Sequence, residues 1–334
     1  MPRIAINGFG RIGRNTLKAG FRKRGFQVVA INDLTDPATL AHLLKYDTVY
    51  GHYPEPVRAT KTHLIIGRTK IPVIGEKDPA KLPWKKYNVD IVLECTGFFT
   101  KLEDASKHLE AGAKRVIISA PAKGEGVPTH VIGVNEKGAG KGSKVINNAS
   151  CTTNCIAPVA AVMEQSFGVS KALMTTVHSY TAGQNLVDGP NKDLRRARAA
   201  AANIVPTSTG AAIATSQAIP KLKNKFDGIS IRVPTPVVSL VDFTFLLKKN
   251  VTEEKVNAAF RRAAKTKQLK GILDVTDDEL VSSDFIGNPA SAIVDLPMTK
   301  VVDGNLVKVL AWYDNEWGYS HRLADMALHV GLTL

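Results

Sequence analysis

Only three cysteines, Cys95, Cys151 and Cys155, stand among 334 residues. That is too few and too irregular for a disulfide framework. The Cys-x-x-x-Cys spacing of the last two has no partner set for structural zinc. A reducing compartment is therefore expected, where each cysteine is either packed or reactive, and no metal is expected. No apolar run approaches the roughly 18 residues that a membrane-spanning helix requires. Met1-Pro2-Arg3 leads straight into Ile4-Ala5-Ile6, without the apolar stretch of a secretory leader. The expectation is a cytoplasmic chain with no membrane role. Acidic residues are also short, 30 against 44 Lys and Arg, for a net charge of +14. Such an excess favours anionic ligands. The cations are nevertheless scattered, and no aromatic-flanked basic stripe appears, so nucleic acid is not expected as the primary partner. One denser cluster is Arg195-Arg196-Ala197-Arg198.

What is present reads as a globular chain longer than one hydrophobic core, hence two domains. In the first half, strands are predicted at Arg3–Asn7, Gln27–Asn32, Ile91–Glu94, 115–119 and 131–133, with helices at 16–23, 38–45 and 102–111. Alternating strand and helix predicts an α/β, Rossmann-type doubly wound parallel sheet. The pattern then changes to a helix over Cys151–Phe167 and strands at 171–177, 229–233, Ser239–Leu247 and 307–312. Helices follow at 253–266 and 321–330. Polar and apolar residues alternate in Val241-Asp242-Phe243-Thr244-Phe245, which predicts a sheet with one wetter face. The expected division is residues 1–150 and an α+β catalytic domain at 151–315 with a mixed or antiparallel sheet. A C-terminal helix at about 316–334 is expected to pack back on the first domain.

The first strand runs into Gly8-Phe9-Gly10-Arg11-Ile12-Gly13. This glycine spacing is weak alone, but here it joins a predicted strand to a predicted helix. Gly8 would permit the tight turn and Gly10 a close approach of backbone to a pyrophosphate. Gly13 would let the helix pack on the strand. Asp33 ends the second strand about 20 residues further on, where a carboxylate accepts ribose hydroxyls and repels a 2′-phosphate. NAD is therefore favoured over NADP, against the alternative that Asp33 caps a turn or helix.

Ser150-Cys151-Thr152-Thr153-Asn154-Cys155 sits where a helix begins. A thiol at a helix N-terminus is expected to have a lowered pKa, which makes Cys151 the candidate nucleophile. Cys155, one turn inside, and Cys95, in an apolar strand, read as packing residues. His178 ends a predicted strand and is the candidate base, because Cys–His pairs generate thiolate and shuttle protons.

At this point a resemblance emerges. Asn7-Gly8-Phe9-Gly10-Arg11-Ile12-Gly13-Arg14, Ala149-Ser150-Cys151-Thr152-Thr153-Asn154-Cys155 and Thr176-Val177-His178 resemble the glyceraldehyde-3-phosphate dehydrogenase family. So do Pro206-Thr207-Ser208-Thr209-Gly210-Ala211-Ala212, Arg232-Val233-Pro234-Thr235 and Trp312-Tyr313-Asp314-Asn315-Glu316-Trp317-Gly318-Tyr319-Ser320. The resemblance implies phosphorylating, NAD-dependent oxidation of D-glyceraldehyde 3-phosphate through a thioester on Cys151, with His178 as base. It implies that Ser150, Thr152, Thr209 and Gly210 bind inorganic phosphate, that Thr181 and Arg232 hold the substrate phosphate, and that Arg195 serves the phosphate sites. Arg11, Ile12, Asp33, Lys77, Ser119 and Asn315 match the family's NAD contacts, Asn315 orienting the nicotinamide carboxamide. A loop at 180–204 resembles a subunit-interface loop, implying a homotetramer. Erythrose-4-phosphate dehydrogenase, a sister enzyme, is the alternative, and redox sensing through Cys151 and Cys155 a further reading.

Overall fold

A computed structural model describes residues 1–334. The chain divides into two compact units, Met1–Ser150 with Ser320–Leu334, and Cys151–Tyr319.

The first unit begins with β1 (Arg3–Asn7), α1 (Arg11–Gly20), β2 (Gln27–Asn32) and α2 (Pro37–Lys45). A ribbon of β3 (Tyr46–Asp47) and β4 (Gly51–His52) follows, then a meander of β5 (Val57–Ala59), β6 (His63–Ile66) and β7 (Thr69–Ile74). β8 (Ile91–Glu94), α3 (Leu102–Glu110), β9 (Arg115–Ile118) and β10 (Val145–Asn147) complete it. Eight strands form one sheet in the order β10-β9-β8-β1-β2-β7-β6-β5. Neighbours from β10 to β7 are parallel, and the β5-β6-β7 edge is antiparallel. Strands buried on both faces must be apolar in succession, and β1 shows it. Ile4 and Ile6 pack with Leu17 of α1, Leu40 and Leu44 of α2, and Leu323 and Met326 near the C-terminus. Ala5, pointing the other way, packs with Val92 and the fully buried Trp84. Residues 131–133, predicted as a strand, form a turn, and β10 occupies that edge of the sheet. α1 also starts earlier than predicted, because the polar residues Arg11, Arg14 and Asn15 mask the apolar period at its start.

The C-terminal ends of β1 and β8 lie side by side where the strand order reverses, the position at which doubly wound sheets form a ligand crevice. Gly8 follows β1 with φ of +90°, and a Cβ there would lie 2.7 Å from the Thr96 nitrogen.

The second unit holds α4 (Cys151–Phe167), β11 (Val169–Ser179), β12 (Val205–Thr207), α5 (Ala211–Ala218), β13 (Phe226–Val233) and β14 (Ser239–Leu247). α6 (Glu253–Ala264), β15 (Leu273–Thr276), β16 (Ala292–Val302) and β17 (Leu306–Tyr313) follow, and α7 (Trp317–Gly331) starts here. Seven strands form a mixed sheet in the order β12-β13-β11-β14-β17-β16-β15. β11 pairs parallel with β13 and antiparallel with β14, which pairs antiparallel with β17. Alternation sends Met174, Thr176 and His178 of β11, Phe243 and Phe245 of β14, and Val309, Ala311 and Tyr313 of β17 inward. The alanine-rich α4 packs against β14, β16 and β17. On the opposite face Leu173 and Ile229 remain 65% and 51% exposed.

The glycine loop generates a contrast in stability. A Cβ on Gly13 would stand 2.2 Å from the Gly8 carbonyl oxygen, whereas one on Gly10 meets nothing within 4 Å. Gly13→Ala should cost about 1–3 kcal/mol in urea unfolding, while Gly10→Ala should leave stability unchanged. Equal losses in the two variants would contradict this packing.

Candidate active site

In the first unit the predicted dinucleotide residues gather at the ends of β1, β2 and β7, with Ser119 at the end of β9. Gly10 is exposed, has an ordinary negative φ and caps the N-terminus of α1. The open space at its missing Cβ, together with the free N–H groups of α1, forms a cradle that fits a pyrophosphate. Asp33 accepts from the Phe9 N–H at 2.7 Å and the Thr35 N–H at 2.9 Å. It therefore pins the glycine loop and also caps a turn; each oxygen keeps capacity for a ribose hydroxyl. The helix cap of α2 is Asp36 instead, which accepts from the Ala38 and Thr39 N–H groups. Arg11 is held by Asp47 at 2.6 Å and lies over the Tyr50 ring, and Ile12 packs on the core below. Lys77 is exposed in the loop after β7, a loop tied to β2 by Asn32, whose side chain bonds both backbone groups of Glu76. Two exposed apolar side chains that sequence reasoning missed, Leu34 and Phe98, follow the ends of β2 and β8 and offer flat surface for a base.

A buried polar chain underlies these loops. The Glu94 carboxylate accepts from Asn7 Nδ2 at 2.5 Å, the Thr96 N–H at 2.8 Å, the Thr96 hydroxyl and His108 Nε2 at 3.0 Å. Trp84 Nε1 donates to His108 Nδ1 at 3.0 Å, so the Nε2 proton points at Glu94. Four donors on one carboxylate compensate its burial. Burial pushes the nearby Cys95 thiol up to about 12, which makes it an inert packing group.

In the second unit Cys151 is the first residue of α4, and its Sγ lies 3.5 Å from His178 Nε2. His178 reaches it from β11, where it is paired with Arg232 of β13. His178 Nδ1 donates to the Ser179 carbonyl at 2.7 Å, which leaves the Nε2 lone pair facing the sulfur. Arg232 Nη1 donates to the same carbonyl at 3.1 Å; with the proton on Nδ1, its 2.8 Å approach to that nitrogen brings two donors together and is not a hydrogen bond. Burial, then the Arg232 charge, holds the imidazole down to about 3, against the Ser179 carbonyl. His178 is thus a neutral base throughout the physiological range.

The thiol itself corrects an expectation. Burial raises the pKa of Cys151, and the Arg232 charge and the Thr152 hydroxyl and N–H offset this only in part. Desolvation is the largest effect on this half-buried thiol, so its place at a helix N-terminus does not by itself set the direction of the shift. The pair rests as neutral thiol and neutral imidazole. Cys155 is fully buried with its pKa raised further.

Tyr313, also missed by sequence reasoning, organises this group. Its hydroxyl bonds Thr152 Oγ1 and Thr176 Oγ1, each at 3.0 Å, and its ring lies edge-on to His178. The only signal for it was its place beside Asn315 in the segment from Trp312 to Ser320. Asn315 follows β17, and Asp314 before it accepts from the Glu316 and Trp317 N–H groups at the start of α7.

The arginines of the basic cluster are placed in different surroundings. Arg195 is exposed; its N–H donates to Asp193 and its carbonyl accepts from the Arg198 N–H. The charge that bears on His178 and Arg232 is that of Arg196, held by Thr207 at 3.0 Å and by Asp193. The proline-containing strand β12, which carries Thr207, holds Arg196 in place, a tertiary contact invisible in the sequence. Thr181 is exposed in the loop after β11. Thr209 accepts from the Ala211 N–H, and Gly210 caps α5 with no atom near its missing Cβ. Ser150, half-buried, is the last residue of the first unit before Cys151.

Residues 2–102 match the model of the glyceraldehyde 3-phosphate dehydrogenase NAD binding domain, and residues 150–315 that of the C-terminal domain. A glyceraldehyde-3-phosphate dehydrogenase of Streptomyces coelicolor is 53% identical over 98% of both chains. Relatives of the same name from Geobacillus stearothermophilus and, as number 1, Bacillus subtilis are each 54% identical over 98% of both chains.

The buried imidazole leaves a signature in stability. Its folded pKa of about 3 lies below the unfolded value of about 6.5, so acid first protonates the unfolded chain. The stability contributed above pH 6.5 is therefore lost as pH falls toward 3. Between pH 6.5 and 5 the chain should lose about 2 kcal/mol more than His178→Asn does, in urea unfolding. Equal losses would mean that His178 is not held neutral.

Proposed function

The chain belongs to the glyceraldehyde-3-phosphate dehydrogenase family, and on that premise we propose the following chemistry for its residues. The reaction is oxidation of D-glyceraldehyde 3-phosphate to 1,3-bisphosphoglycerate with NAD and inorganic phosphate, the phosphorylating step of glycolysis and gluconeogenesis. The observation that carries the residue assignment is the 3.5 Å approach of Cys151 Sγ to a neutral His178 Nε2.

Cys151 Sγ attacks the aldehyde carbon while its proton passes to Nε2 and then to the new oxyanion, giving a thiohemiacetal. Nε2 next takes the hydroxyl proton, which pushes the hydride off carbon and leaves a thioester on Sγ. Bound NAD supplies the hydride acceptor. Phosphate attacks the thioester carbon, the carbon–sulfur bond breaks, and the imidazolium returns its proton to sulfur. A positioned base is worth about 10²–10⁴-fold in such a step. Because both partners rest neutral, charge appears only as the adduct forms, where the neighbouring cation Arg232 can stabilise it.

Gly8, Gly10, Gly13 and the α1 N-terminus would hold the pyrophosphate, and Asp33 the adenosine ribose. Arg11, Ile12, Lys77 and Ser119 would line the same ends of the sheet, and Asn315 would orient the carboxamide. Arg232 and Thr181 would hold the substrate phosphate; the Arg232 Nε is buried without an acceptor, a donor that an anion satisfies. Ser150, Thr152, Thr209 and Gly210 would bind the attacking phosphate, with Arg195 serving the phosphate sites and Arg196 adding charge nearby.

A homotetramer is the assembly we favour. Its support is the apolar outer sheet face with Leu173 and Ile229, and the 180–204 loop, where Leu186 and Leu194 are 80% and 81% exposed. No helix is long and apolar enough to cross a membrane, which fits a cytoplasmic location.

The test is NADH formation from glyceraldehyde 3-phosphate and NAD, with and without inorganic phosphate. Sustained turnover should need phosphate and vanish in Cys151→Ser. Turnover without phosphate would indicate a hydrolysing dehydrogenase and overturn the reading.

A further inference from the structure

Three neighbouring strands of the second unit, β11, β14 and β17, come together at one edge through Ser179, Ser239 and Tyr313. Ser239 is in register with Tyr313, and the Ser179 N–H donates to Ser239 Oγ at 3.2 Å. Asn315, two residues past Tyr313, lies against both serines. Ser179 Oγ donates to Asn315 Oδ1 at 3.0 Å, and Ser239 Oγ donates to the same oxygen at 3.0 Å. All three residues are buried: Ser179 is 0%, Ser239 2% and Asn315 6% exposed.

Two hydroxyl protons on one carbonyl oxygen fill both of its lone-pair directions. They also decide which way the amide faces. With Oδ1 turned to the serines, Nδ2 faces away from them, and no acceptor within the second unit engages it. After a half turn Nδ2 could donate to the two hydroxyl oxygens, but Oδ1 would lose both donors and the two hydroxyl protons their shared acceptor, at the cost of desolvated polar atoms. Asn315 is therefore preset as a donor, with its acceptor side already occupied.

We infer that Ser179 and Ser239 are positioning residues that lock the Asn315 amide so that Nδ2 donates to the carbonyl of the nicotinamide carboxamide. The inference rests on the assignment of Asn315 proposed above and extends it to two residues that do not themselves touch the cofactor. A carboxamide held through its carbonyl has one ring face fixed toward the substrate carbon. Without the serines the Asn315 amide can present either end, and the nicotinamide loses that orientation while the adenosine half is unaffected.

The experiment compares two ligands, NAD and ADP-ribose, which lacks nicotinamide, by calorimetric titration of full-length Asn315→Ala, Ser179→Ala, Ser239→Ala and the double serine variant. Asn315→Ala should weaken NAD by about tenfold and leave ADP-ribose unchanged. The double serine variant should show the same selective loss, with each single variant, if the pair does not fold, showing a smaller one. Selective loss in Asn315→Ala with NAD unchanged in the serine variants would overturn the inference and leave the Asn315 assignment standing. No NAD-selective loss in Asn315→Ala would overturn both. Equal weakening of NAD and ADP-ribose in the serine variants would make them supports of the fold and overturn the inference as well.

Discussion

A half-buried thiol held against a buried imidazole constrains everything around it. Beside a buried imidazole and partly desolvated itself, the Cys151 thiol is pushed up and His178 down, and the pair settles as two neutral groups in contact. That state has a use. A neutral imidazole can accept a proton at the moment sulfur bonds to carbon, and again when the thiohemiacetal is oxidised. It also has a requirement: the charge that appears during reaction must meet fixed partners rather than solvent. Arg232 shares the Ser179 carbonyl with the imidazole, and Arg196 is held nearby by Thr207 and Asp193.

The register of one sheet delivers most of these groups. His178 of β11 is paired with Arg232 of β13, and Ser239 of β14 with Tyr313 of β17. A slip of one residue along β11 would turn His178 to the outer face. Tyr313 then ties Thr152, beside the nucleophile at the start of α4, to Thr176 on β11. The two halves of the Cys–His pair are thereby fixed to a common phenol, one from a helix and one from a strand. In the first unit the Glu94 carboxylate plays a comparable part, joining Asn7 at the end of β1 to Thr96 after β8 and His108 of α3.

Much of this was legible from residue order alone. The span of α4, the strand β14 and the strands β1, β2 and β8 follow directly from apolar period and turn residues, and the glycine loop announced the crevice. The losses are instructive. The segment 131–133 has strand-like composition but is a turn, because sheet pairing and not propensity decides an edge strand. The direction of the Cys151 shift was misread because the helix N-terminus is visible in sequence and the depth of burial is not. Tyr313, Ser179 and Ser239 act through partners more than 50 residues away, and no local pattern marks the two serines.

The central claim is that Cys151 carries the oxidised substrate as a thioester until phosphate removes it. Mixing the protein with glyceraldehyde 3-phosphate and NAD in the absence of phosphate, quenching in acid and digesting for mass spectrometry tests it directly. The account predicts a burst of NADH limited by the number of chains, and an acyl adduct on the Cys151 peptide that disappears when phosphate is added before the quench. A full burst with an unmodified Cys151 peptide, or an adduct on Cys155 or Cys95 instead, would contradict it.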